Sequence, residues 1–154
     1  MKKRVVALLL ALLFSVTGMN AGNGKVYAEE SGQDVELSEI WTEDALVGYA
    51  QSQTWGAYLL DGVSIINDAG SGKIGCGGVT NAAVKCKVSC NAVVEKKVSG
   101  SWTRVTSWTT TNASAYSAIV SKTLSVGSGY YYRVRCIHTA ASDGSSSYTS
   151  ALWM

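Results

Sequence analysis

Proline is absent from the 154 residues, and histidine and phenylalanine occur once each. No apolar run approaches the about 20 residues that a membrane-spanning helix needs. From Trp55 onward no window carries a convincing 3.6-residue apolar period, which points away from helices. His138 is the sole histidine, and Asp61, Asp68, Glu95 and Asp143 are the acids of the β-rich part. That inventory is thin for general acid–base work. We expect no enzyme, no catalytic residues, no cofactor and no metal site.

What is present begins with Met1, Lys2, Lys3 and Arg4, followed by an almost wholly apolar stretch from Val5 to Val16. This is the layout of a cleavable export signal, and Val26 and Ala28 place the cut after Ala28, with Ala21 as the weaker site. Residues 1–28 are therefore expected to be a signal peptide and the mature protein to be secreted. No cysteine near the cut could take a lipid, and no hydrophobic tail with a basic stop closes the chain, so no stable membrane anchor is expected.

Losing Lys2, Lys3, Arg4 and Lys25 with the leader leaves nine basic against eleven acidic residues, a net charge of −2 in place of the precursor's +2. No electrostatic case for nucleic acid survives this correction. Seven acids and no base lie between Glu29 and Asp44 (Glu29, Glu30, Asp34, Glu36, Glu39, Glu43, Asp44), so residues 29–53 read as an acidic, flexible arm.

Residues 54–154 alternate short Val-, Thr-, Tyr- and Trp-rich runs with Gly, Ser, Asn and Asp. The pattern predicts an all-β domain, a single antiparallel β-sandwich of immunoglobulin-like type. Strands are expected near 55–60, 63–67, 73–80, 84–98, 102–110, 116–126, 130–138 and 146–153. Ser99-Gly100-Ser101 and Gly127-Ser128-Gly129 both read as hairpin turns between antiparallel neighbours, and Gly70-Ser71-Gly72-Lys73 as a flexible turn. Asp61-Gly62, Asn67-Asp68 and Asp143-Gly144 are also expected at turns. Period-2 alternation sets Ala118, Val120, Lys122, Leu124 and Val126 on one face, and Tyr130, Tyr132, Val134 and Cys136 together, with Cys136 inward, opposite Tyr131, Arg133, Arg135 and Ile137. The same count turns Val84, Cys86, Val88 and Cys90 inward together.

Cys76, Cys86, Cys90 and Cys136 are even in number, and in an exported chain they are expected to form two disulfides. A Cys76–Cys136 bridge is preferred, but it strands Cys86 and Cys90 too far apart on a regular strand. Pairing Cys76 with Cys86 or Cys90, and the other with Cys136, satisfies geometry equally.

All aromatic residues of the mature domain are Trp or Tyr, each with a polar edge to satisfy. Trp102 and Trp108 share a parity, and with Tyr131 they are the candidate ligand contacts for a protein or glycan partner.

The run Gly129-Tyr130-Tyr131-Tyr132-Arg133-Val134-Arg135-Cys136 resembles the penultimate strand of immunoglobulin and fibronectin type III sandwiches. The resemblance implies that Tyr132 is a tyrosine corner. Together with the leader, the run 67–75 and Gly100-Ser101-Trp102, the chain also resembles a family of small, uncharacterised secreted proteins from Gram-positive Firmicutes, which implies relatives but no activity. The function expected is a non-catalytic binding module at or near the bacterial surface. A secreted toxin or bacteriocin-like antagonist is the alternative and a hydrolase the third.

Overall fold

A computed structural model describes residues 32–50 and 56–154. The signal peptide, Glu29, Glu30 and Trp55 lie outside the described residues. The elements in chain order are β1 (Gln33–Asp34), α1 (Leu37–Ile40), β2 (Leu46–Tyr49), β3 (Leu59–Gly70), β4 (Lys73–Val98), β5 (Ser101–Ser125), β6 (Tyr131–Ala140), β7 (Asp143–Tyr148) and β8 (Leu152–Trp153). Every pairing is antiparallel.

The strands expected separately at 73–80 and 84–98 are one strand, and so are those at 102–110 and 116–126. β4 and β5 form a hairpin about 25 residues long, closed at Val98↔Ser101. Its two-residue loop needs positive φ at both positions, which Ser99 (48°) and Gly100 (84°) adopt. The β3–β4 hairpin turns on Ser71 (54°) and Gly72 (71°) in the same way.

β4 is the spine of the molecule. Its first part, Lys73 to Ala82, pairs with β3, and its last part, Val88 to Lys96, pairs with β6 along the same edge. Between them the register with β5 shifts twice, after Asn81 and after Cys86. Such irregularities bend a strand, and here the two halves of the sheet lie face to face. Thr80 on the first half reaches His138 on the second. One cluster buries Ile66, Ile74 and Cys76 of the first half with Val88, Cys90, Val94, Val134 and Cys136 of the second. The shifts also overturn the expected shared face of residues 84–90: Val88 and Cys90 are buried, Cys86 is half-buried and Val84 is exposed.

Two further expectations need correction. Gly127-Ser128-Gly129 is no hairpin turn, because β6 pairs with β4, β7 and β8 and not with β5. The segment instead carries the chain from one half-sheet to the other, and buried Tyr132 donates its hydroxyl to Gly127 O at 2.9 Å. The acidic arm is, over residues 33–49, part of the fold. Asp34 pairs with Lys122 at 2.6 Å, β2 extends the sheet beside β3, and Ile40 is buried with Val63 and Ile65 on the outer side of the first half. Gly75 and Gly77 leave the space that Ile40 fills. The acids hid this docking, because Val35, Leu37, Ile40, Ala45 and Val47 are spread too thinly among them to show a period.

The outer side of the first half is thus covered by α1 and its flanks. The corresponding side of the second half carries no such element among the described residues.

Candidate functional site

Two constellations carry chemistry, one inside and one outside. The inner one surrounds His138, which is fully buried. Its Nδ1 lies 2.8 Å from Thr80 Oγ1 and its Nε2 2.8 Å from Ser147 Oγ, so both ring nitrogens are satisfied without water. Asp61-Gly62, expected at a turn, lies within β3, and Gly62 is where the imidazole rests: a Cβ there would sit 2.8 Å from Nδ1 and nearer still to Cγ and Cδ2. Gly78 makes the same allowance for the Cys136 sulfur.

All four cysteines are free thiols. The preferred Cys76–Cys136 bridge is not made, because the two thiols address different neighbours: Cys76 donates to Lys122 O (3.6 Å) and Cys136 to Gly77 O (3.4 Å). The Cys136 thiol beside it holds the Cys90 thiol below its usual range, with His138 adding to the effect. The neighbouring Cys90, with burial, pushes Cys136 up. Burial pushes Cys76 up to about 12. His138, Cys90 and Cys136 have no exposed surface, so a substrate cannot reach a Cys–His pair in this fold.

The four acids of the β-rich part each have a structural partner. Asp61 accepts from Asn81 (2.7 Å), Asp68 from the Gly70 N–H (2.8 Å), and Asp143 from the N–H groups of Tyr58 and Leu59 (2.7 and 3.0 Å). Glu95 lies between Arg133 (2.6 Å) and Arg135 (3.4 Å). Among the described residues no three His, Cys, Asp or Glu side chains gather as metal ligands.

The outer constellation follows from strand register. Lys97 opposes Trp102, Glu95 opposes both Arg104 and Arg133, Arg135 opposes Tyr148, and Tyr131 opposes Trp153. Residues opposed across a sheet share a face, so these side chains form one surface on β4 to β8. The Arg133 guanidinium stacks between Trp102 (4.3 Å) and Tyr148 (5.1 Å), and Tyr131 meets Trp153 edge-on at 4.8 Å. Tyr131, Tyr148 and Trp153 are 45%, 48% and 57% exposed. Lys97, Arg104, Arg133 and Arg135 outnumber Glu95, the single acid among these opposed residues.

Trp108 does not belong to this surface. Val94 opposes Thr106 while Glu95 opposes Arg104, so Val105 is an extra residue and parity flips there. Trp108 opposes inward Ala92, packs on the main core and has Gly32 against its ring. Trp102 and Tyr131 are brought to one face and Trp108 is sent to the other. Sequence reading missed Arg133, Tyr148 and Trp153 as members. Alternation already set Arg133 outward, but the pairing of β6 with β7 and β8 leaves no local trace.

The profile of a protein family, Family of unknown function (DUF6147), matches residues 26–152. The chain belongs to that family. The DUF6147 match spans both half-sheets and the N-terminal segment that covers the first of them. No curated protein and no solved structure matches.

Proposed function

We propose that this chain is a secreted, non-catalytic binding module of the bacterial surface, and that the outer face of its second half-sheet binds a glycan. The observation that carries this reading is the ordered array Trp102–Arg133–Tyr148 with Tyr131–Trp153 beside it, partly open to solvent. Aromatic rings offer apolar faces to the C–H surfaces of sugars at little entropic cost, and the guanidinium supplies donors for hydroxyls. Glu95 fixes both arginines from below, so the array is organised before a ligand arrives. The leader at residues 1–28 supports export. The face-to-face half-sheets and the Tyr132 corner support an immunoglobulin-like sandwich as the scaffold.

Binding of the purified protein to cell-wall glycans, both neutral and anionic, tests the reading. Trp153→Ala and Tyr148→Ala should each weaken binding at least about tenfold, a loss of about 1.4 kcal/mol, with unchanged far-UV circular dichroism. Binding that survives both substitutions, or a protein ligand in place of a glycan, refutes it.

A further inference from the structure

We propose that Cys90 and Cys136 are an oxidisable pair that joins β4 to β6 as a disulfide when the chain folds under oxidising conditions. The inference goes beyond the glycan-binding reading and does not depend on it. Cys90 opposes His138 and Cys136 opposes Ala92, so the two cysteines lie one diagonal step apart on neighbouring strands and share the inward face. Both are buried in the same core cluster. Each thiol perturbs the other's ionisation, Cys90 downward and Cys136 upward, as neighbouring thiols do. The competing partners are engaged or remote: the Cys76 thiol is turned to Lys122 O on β5, and Cys86 lies at the bend, between the two register shifts. Of the pairings that the sequence leaves open, the fold thus singles out the one that links Cys90 to Cys136.

The chemistry is thiol–disulfide exchange. With glutathione disulfide as oxidant, one cysteine thiolate attacks a glutathione sulfur, forming a mixed disulfide and releasing one glutathione thiolate. The second cysteine then loses its proton and displaces the other glutathione. Two protein thiols are oxidised to one disulfide, and one glutathione disulfide is reduced to two glutathione thiols. Both sulfurs are sealed in the closed fold, so exchange precedes the meeting of the half-sheets, and the folded, reduced protein resists the same oxidant.

The full chain, reduced and unfolded, is refolded in a glutathione redox buffer, quenched with an alkylating agent and digested with trypsin. Cleavage after Lys73, Lys85, Lys87, Lys96 and Arg135 puts each cysteine on its own peptide: 74–85, 86–87, 88–96 and 136–154. The expected dominant species is 88–96 linked to 136–154, and it persists in the Cys76→Ala/Cys86→Ala chain. Its counterpart is a fall in Tm on reduction that the Cys90→Ala/Cys136→Ala chain does not show. A dominant link from 136–154 to 74–85 or to 86–87 overturns the proposal, and so does a folded chain with four alkylated thiols.

Discussion

Gly62→Ala tests the closure of the two half-sheets over His138. In an open strand this change is stabilising, by about 0.4–1 kcal/mol, because alanine narrows the unfolded ensemble. Here the added methyl meets the imidazole, which Thr80 and Ser147 hold at both nitrogens. Forcing a carbon into a filled core costs about 1–3 kcal/mol. A ring displaced far enough to lose one of its buried hydrogen bonds adds about 1–3 kcal/mol. After the entropic gain the net loss is about 1–5.5 kcal/mol. For a domain of this size that lowers Tm by about 4–22 °C. Urea and thermal unfolding of the single variant measure it directly. The same substitution made in a His138→Ala background should cost close to nothing, because the methyl then enters vacated space. A double-mutant cycle therefore yields a large coupling between residues 62 and 138. Gly62→Ala as stable as the parent, or equally costly with and without the imidazole, would mean that the half-sheets do not close on His138 at Gly62.

Tyr132→Phe removes the hydroxyl that reaches Gly127 O and should cost about 1 kcal/mol in urea unfolding. Arg133→Ala unstacks Trp102 and Tyr148 and frees one side of Glu95. It should cost about 1–2 kcal/mol and change tryptophan emission, whereas Lys97→Ala, 5.9 Å from Trp102, should cost under about 0.5 kcal/mol. The folded Cys76 thiol keeps its proton to about pH 12 while the unfolded thiol loses it near pH 8.5, so the unfolded chain binds fewer protons and stability falls as pH rises between those values. The contribution is up to about 1.4 kcal/mol per pH unit, and unfolding midpoints at pH 8 and pH 10 should converge by that slope in Cys76→Ala.

The sequence displayed what depends on local alternation. Residues 118–124 and 131–137 face as period 2 requires, whereas Tyr130, ahead of the strand, is exposed, and Ser99-Gly100 turns the chain as their permissive backbone allows. What escaped were features that depend on partners distant in the chain. The bulge at Val105 separates Trp102 from Trp108, and no propensity marks it. Gly62 reads as a turn residue and Gly78 as an ordinary strand residue, yet each accommodates a side chain about 60 or more positions later in the chain. Continuous β4 and β5 read as broken because the residues at the bend, Ala82 to Cys86, interrupt the alternation without ending the strand. Of the candidate contacts, Trp102 and Tyr131 lie on the exposed array, and the residues that complete it arrive through the register of β6 with β7 and β8.

The contact surface proposed for this chain is the outer face of the second half-sheet, and amide chemical-shift mapping during titration with a bound cell-wall glycan locates it. Shifts are expected only at residues 95–97, 102–104, 131–135, 148 and 152–153, with α1 and β2 unmoved. Shifts centred on the α1 side, or on the bend at 82–86, would contradict it.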